Sequence, residues 1–389
     1  MMFTQRKNRE IYLDYAATTP LCSVARRAFF RCQKDAFANP AGIHTLALRA
    51  RKALEDARTT FARLLHVRSS QVVFTASATE ANNMVIQGLP TKGHIISTTI
   101  EHASVLEPIK QKEREGWGVT YISPDETGHI DPEMIVRALR DDTVLISVIL
   151  VQNEIGTVQP IARIARKVHE ACAGRSVPII HTDASQAAHT HVLDMVSLRA
   201  DFLTLSSHKT YGPKGVGVLV GRNFPILKPL IVGGGHEGGM RSGTPNTPAI
   251  VGCAVAYAKA QAGAEKEYAR LMHLRDFFIH HVTSTLPDVM VNGTAPISPH
   301  IVNLSFLGVS AEHLVVLLDM AGIAVSAGSA CASQSDASSV VEALAGTARA
   351  ESAVRFSFGS GTTKKQLIRV LKEVTRRVDT LRTDAKIVV

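Results

Sequence analysis

Lys209 stands in the run LSSHKTYGPKG, and Asp183 stands upstream in IIHTDASQ. A lysine amine can condense with an aldehyde. A carboxylate can pair with a ring nitrogen and keep it protonated. Two such groups at the ends of buried strands can hold one flat heteroaromatic aldehyde from two sides. A free lysine titrates near ~10.4 and is a poor nucleophile at neutral pH, and partial burial and nearby cations lower that value. SSHK closes a strand pattern and TYGPKG is turn-rich, so the amine should project into a crevice. Asp183 follows an apolar run, and a buried carboxylate needs a partner. The structural alternatives are a surface lysine and a helix N-cap before SQAA.

Pyridoxal phosphate (PLP) needs such a pair, together with a phosphate cradle and a face to stack on. TASATEANN lies between a strand pattern and a helix pattern. Backbone N–H groups of Ala78 and Thr79 would meet a phosphate at that helix start. Ser206 and His208 can add donors from a neighbouring strand end. Plain N-capping by Ser77 or Thr79 explains the same residues. His102, in TIEHASVL, can stack on a ring and shuttle protons, or simply start a helix. Gln186 and Asn153 can reach a phenolic oxygen. Residues 233–244, GGGHEGGMRSGT, do not match a dinucleotide fingerprint. Their useful polar groups are Arg241 and Thr244.

Two further residues carry chemistry. Cys331 lies in SAGSACASQSDASS, among small and polar neighbours, where an exposed, mobile thiol is expected. Arg355, in AVRFSFG, can clamp a carboxylate through a bidentate pair or serve a structural ion pair.

These residues need a frame. From Gln71 onward, strand and helix patterns alternate. QVVFTA, HIIST, TVLISVILV, VPIIHTDAS, ADFLTLSS and GVGVLVG read as strands. ATEANNMVIQGL, EHASVLEPIKQKEREG, DPEMIVRALR and PIARIARKVHEACAG read as helices. The alternation predicts an α/β fold with a mostly parallel sheet between helices. Ligands then collect at the carboxyl ends of the strands, where Asp183, Lys209 and Asn153 fall. Past Thr247 one long helix is expected, or two joined near Gly263. Leu367, Leu371, Val374, Val378 and Leu381 mark the apolar face of a C-terminal helix.

The bulk numbers agree. The 389 residues suggest two domains, and the composition, 45% hydrophobic and 20% charged, is globular. The net charge of +9 is spread along the chain, and no nucleic-acid motif accompanies it. No secretory or membrane-spanning run is visible. Five cysteines without close pairing favour a reducing cytoplasmic setting. No histidine or cysteine cluster has metal-ligand spacing, His280 and His281 included.

Taken in order, YLDYAATTP, NPAGIH, FTASATEANN, IEHASVL, QNEIGTVQP, HTDASQ, SSHKTYGPKG, GGGHEGGMRSGT, SAGSACAS and VRFSFG resemble the cysteine desulfurases of the NifS/IscS type, in the class V aminotransferase group. The resemblance runs over nearly the whole chain. It implies a homodimeric PLP enzyme that takes sulfur from L-cysteine, releases L-alanine and passes the sulfur to acceptors. Those acceptors would serve iron–sulfur cluster assembly or tRNA thiolation. It implies a large PLP-binding domain, residues 14–262, on a mostly parallel seven-stranded sheet. A smaller α+β domain, residues 1–13 and 263–389, would carry the Cys331 loop.

Carried over by position, Lys209 would link covalently to the cofactor and Asp183 would pair with its ring nitrogen. Gln186 and Asn153 would hold its phenolic oxygen. Ala78, Thr79, Ser206 and His208 would bind phosphate, with Thr244 donated by a partner subunit. His102 would stack on the ring. Arg355, with Asn39 or Asn153, would hold the substrate carboxylate, and Cys331 would carry the sulfur as a persulfide. Ser77 departs from a glycine usual in the phosphate turn, and Gly238 from a usual arginine. Selenocysteine lyase, a class V aminotransferase and a non-catalytic sulfur carrier are the alternatives.

Overall fold

The computed structural model describes residues 10–328 and 338–387. The strands are β1 (Ile11–Tyr12), β2 (Val72–Thr75), β3 (His94–Thr98), β4 (Gly118–Ile122), β5 (Thr143–Ser147), β6 (Ile179–Asp183), β7 (Phe202–Ser206), β8 (Gly217–Gly221), β9 (Val289–Asn292), β10 (Ile301–Phe306), β11 (Ile323–Ala324), β12 (Ser326–Ala327) and β13 (Ala353–Ser357). Seven of them form one sheet in the order β2-β8-β7-β6-β5-β3-β4. The run from β7 through β6, β5 and β3 to β4 is parallel, while β8 lies antiparallel to both β7 and β2. Connection length explains the difference. A parallel neighbour needs a long crossover, whereas only ten residues join β7 to β8, enough for an antiparallel return.

Most of these strands are short apolar runs buried along their length, as a sheet covered on both faces requires. Edge strand β4, GVTYI, is mostly half-buried, and its weak apolar signal hid it in the sequence. The run 143–151 keeps strand character only to Ser147. Val148 and Leu150 then donate to His181 O and Asp183 O, which carries the chain toward Asn153.

The helix Thr247–Thr285 is a single element of 39 residues with no break at Gly263. A glycine costs only about 1 kcal/mol in a helix interior. Packing at both ends outweighs that. Ile250, Cys253 and Tyr257 belong to the core of the large sheet, and Leu271, Phe278 and Val282 to a second core.

That second core underlies a four-stranded antiparallel sheet in the order β12-β13-β10-β9. The parallel pair β1–β11 is a separate two-stranded sheet, and Ile11 and Leu13 pack into the same core. The C-terminal helix Lys364–Ile387 covers the sheet with Leu367, Val370, Val374 and Val378. Among the described residues, no helix is long and apolar enough to cross a membrane.

Candidate active site

Parallel strands β3, β5, β6 and β7 all end on one side of the large sheet, and the site forms there. Asp183 closes β6 and is 4% exposed. Its Oδ1 accepts from Ser185 N at 2.9 Å and its Oδ2 from Asn82 Nδ2 at 2.9 Å. Burial alone would push this carboxyl up. Hydrogen bonding by Ser185, the Lys209 charge and Asn82 outweigh it and hold the group below the usual carboxylate range. Asp183 is therefore a buried, ionised carboxylate.

Lys209 ends the short helical turn Ser207–Lys209 that follows β7. The turn is pinned from the N-terminal segment. Thr19 donates to His208 O through its backbone N–H at 2.9 Å and its hydroxyl at 2.8 Å. Two residues on, Tyr211 adopts φ 61°, a left-handed conformation that costs a non-glycine residue about 1–2 kcal/mol. Its backbone N–H donates to Thr19 Oγ1 at 2.8 Å, and its hydroxyl accepts from Ser360 N at 2.8 Å.

His102 is the N-cap of the helix Ala103–Arg114. Its Nδ1 accepts from Ser104 N at 3.1 Å, so a neutral ring carries its proton on Nε2. Burial, then the Lys209 charge, lower its pKa to about 4, so the ring is neutral at physiological pH. Asn82 Nδ2 also donates to Ser104 Oγ at 2.9 Å, tying the His102 cap to Asp183.

The helix Ala78–Gln87 begins at the mouth of the same cavity. Ser77 caps it, accepting from Glu80 N at 3.1 Å. Ser77 has φ −165°, extended backbone that any residue adopts, so this turn does not require glycine. The tight constraint lies opposite. A Cβ on Gly217 would sit 2.2 Å from the Ser77 carbonyl carbon, so β8 approaches this turn only as glycine.

Arg355 comes from β13 of the small sheet and is 2% exposed. It donates to Asn153 O at 2.9 Å and to Asp14 Oδ1 at 2.9 Å, while its Nε has no partner. A cavity of about 200 Å³ thus collects Ala78, Thr79, His102, Asn153, Asp183, Gln186, Ser206, His208, Lys209 and Arg355. Asn39 does not line it. Its Oδ1 accepts from Ala41 N at 3.0 Å within its own exposed turn, so of the two asparagines named for the substrate only Asn153 lies beside Arg355. Thr244 is exposed in a separate hollow with Arg241 and Ala76. Cys331 lies outside the described residues.

The donor set fits PLP. It offers a buried carboxylate for a cationic ring nitrogen, a lysine, a neutral imidazole and a helix start for a phosphate. Two buried polar atoms lining the cavity lack partners, Ser185 Oγ and Arg355 Nε. Residues overlooked in the sequence are Asn82, Ser104, Ser185 and the Ala16–Ala17 segment. Asn82 alone left a signal, a polar side chain on a helix face shared with Ala81 and Val85.

Comparison with known proteins agrees with this geometry. The family model described as aminotransferase class-V matches residues 11–370. A protein named cysteine desulfurase IscS from Dictyoglomus turgidum is 40% identical over 383 residues, covering 96% of each chain. One of the same name from Azotobacter vinelandii is 41% identical over 385 residues, covering 96% of this chain and 93% of its own. A solved NifS-like protein superposes with a TM-score of 0.89 at 29% identity, covering 95% of this chain and 100% of its own. The structure titled SspA in complex with cysteine gives 0.79 at 34% identity, covering 89% and 98%. The chain belongs to the aminotransferase class-V family, in its branch of PLP-dependent cysteine desulfurases.

Proposed function

We propose that this site removes sulfur from L-cysteine, using the residues as follows. When bound, PLP supplies an electron sink that acidifies the hydrogen on the substrate's Cα. Lys209 anchors the cofactor and takes that proton at Nζ. Asp183 keeps the ring nitrogen protonated, and this buried carboxylate, held by Ser185 N and Asn82 Nδ2 beside Lys209, is the observation that carries the reading. Gln186 and Asn153 serve the phenolic oxygen. Ala78, Thr79, Ser206 and His208 cradle the phosphate. His102, neutral with its proton on Nε2, would lie against the ring and could move a proton through Nε2.

Arg355 holds the substrate carboxylate, and its unpartnered Nε supports that role. Asp14 and Asn153 O fix the guanidinium without consuming all its donors. The Cys331 thiolate attacks the substrate sulfur. A sulfur–sulfur bond forms, the substrate's carbon–sulfur bond breaks, and the carbon skeleton leaves as L-alanine. The persulfide then passes to an acceptor protein of iron–sulfur cluster assembly or tRNA thiolation. Cys32, Cys172 and Cys253 are buried, and burial pushes the Cys253 thiol up to about 12, which disfavours them as carriers.

Thr244 lies outside its own chain's cavity, in keeping with donation to the partner's site in a homodimer. Residues 14–262 make the large domain, and 1–13 with 263–389 the small one. The packing of Leu13 in the second core supports the first of these boundaries. The free thiols of the described cysteines support a cytoplasmic setting.

Incubation with L-cysteine and dithiothreitol tests the reaction. Sulfide and alanine should appear in equal amounts, and Cys331→Ala should lose both while retaining cofactor. A keto acid as the main product would identify an aminotransferase instead.

A further inference from the structure

Behind the cavity, five buried or half-buried polar side chains form one unbroken hydrogen-bonded chain. Gln186 Nε2 donates to Ala16 O at 2.8 Å. Gln186 Oε1 meets His300 Nε2 at 3.3 Å. His300 Nδ1 meets Ser298 Oγ at 2.8 Å, Ser298 Oγ meets Thr190 Oγ1 at 2.8 Å, and Thr190 Oγ1 meets His191 Nδ1 at 3.0 Å. His300 and Ser298 are fully buried, Thr190 and Gln186 are 2% exposed, and His191 reaches the half-exposed surface.

One backbone carbonyl sets the direction of every link. Ala16 O can only accept, so the Gln186 amide nitrogen must face it. Gln186 Oε1 must then face His300, and His300 must carry its proton on Nε2. Its Nδ1 becomes an acceptor for the Ser298 hydroxyl. Ser298 Oγ in turn accepts from Thr190, and Thr190 from His191 Nδ1–H. The order requires a neutral His300. Burial holds its pKa well below the usual value, and His189, His191, Arg355 and Lys209 push the same way. The His189 ring packs edge-on against it, with centroids 4.3 Å apart.

Gln186 lines the cofactor cavity, and with one amide hydrogen on Ala16 O and the oxygen on His300 it has one N–H left. We propose that His300 is a positioning residue that locks the Gln186 amide with this N–H available to the cofactor's phenolic oxygen. The inference rests on the reading that Gln186 serves that oxygen. The chain also crosses between the two cores. Gln186 and Thr190 follow β6, whereas Ser298 and His300 precede β10 of the small sheet. The amide is thus held at both ends, by Ala16 O and by a residue outside the lining of the cavity.

A donor to a phenolate stabilises its deprotonated form, so losing the donor raises the associated pKa. The readout is the pH titration of the visible band of the purified holoenzyme, with cofactor content measured in parallel. Gln186→Ala should raise the midpoint by about one unit. His300→Phe, which keeps a ring but has no donor, should move it the same way by at least half as much. His300→Gln, which can donate from the Nε2 position, should titrate close to wild type.

A His300→Phe midpoint equal to wild type, with Gln186→Ala shifted, overturns the inference and leaves the reading of Gln186 intact. An unshifted Gln186→Ala removes that reading and the inference together. If His300→Phe fails to hold cofactor, Ser298→Ala decides by the same titration. A rise supports the inference, and no change overturns it.

Discussion

Asn82 Nδ2 donates to Asp183 Oδ2 at 2.9 Å from a helix that contributes no other side chain to that carboxylate. Both groups are buried. A hydrogen bond to a charged group contributes about 1.5–3 kcal/mol. Asn82→Ala should therefore weaken cofactor binding by about tenfold or more, read by equilibrium titration of the apoenzyme with PLP. Asn82→Asp should weaken it further, because a like charge opposes ionisation of Asp183.

Arg355 ties the small sheet to the cavity. Arg355→Ala should raise the KM for L-cysteine by about tenfold to a hundredfold with near-normal cofactor content, since one charge-assisted contact is lost. Arg355→Lys should recover only part of the loss. A lysine amine cannot match the planar fork that engages Asp14 and Asn153 O while presenting a further N–H. An unchanged KM in Arg355→Ala would assign carboxylate binding elsewhere.

Glu237 anchors the glycine-rich segment 233–244 to the large sheet. Its carboxylate accepts from Arg58 Nη1 at 2.7 Å and Nη2 at 2.8 Å, and from Phe74 N at 2.8 Å. The side chains are 10% and 3% exposed for Arg58 and Glu237. Arg58→Ala leaves a buried carboxylate unpaired and should cost about 3–5 kcal/mol in urea unfolding. A double variant, Arg58→Met with Glu237→Gln, should lose less than Arg58→Ala alone.

Glu101 links two strand ends, accepting from Thr98 Oγ1 at 2.7 Å and from Ile149 N at 2.8 Å. Burial raises its pKa from 4.5 to about 8. The folded state therefore holds this proton more tightly than the unfolded state does. Its stabilising contribution is complete below about pH 4.5 and declines as pH rises to about 8. Glu101→Gln removes that decline. The stability of the variant relative to wild type should grow between pH 5 and pH 8, measured by thermal or urea unfolding. A constant difference across that range would contradict a raised pKa at Glu101.

The sequence revealed the site better than its frame. Lysine, aspartate and histidine stood at or just past strand ends, which are identifiable from apolar runs that stop at polar residues, and Arg355 stood as the lone charge inside such a run. The parallel strands carried that signal because both faces are buried. Edge strand β4 did not, since half-exposed positions blur the alternation. The small-sheet strands β9 and β10 and the first two long helices, Ser23–Asp35 and Thr45–Leu64, were also unread. Those helices carry arginines and lysines along their exposed faces, which dilute the apolar period.

Polar supports were the least legible. Asn82 and His300 matter through partners brought together from distant parts of the chain, and no local pattern names those partners. The antiparallel direction of β8 was not read either, although loop length carries it. The short loop after Lys209 leaves no room for a crossover helix, so the return direction was implicit in its length.

The central claim is that Lys209 holds the cofactor in the cavity closed by Asp183. Borohydride reduction of the purified yellow protein, followed by peptide mass mapping, tests it most directly. The account predicts a bleached visible band and one reduced pyridoxyl adduct, on the peptide bearing Lys209. An adduct on another lysine, or a colourless protein that takes up no PLP, would contradict it.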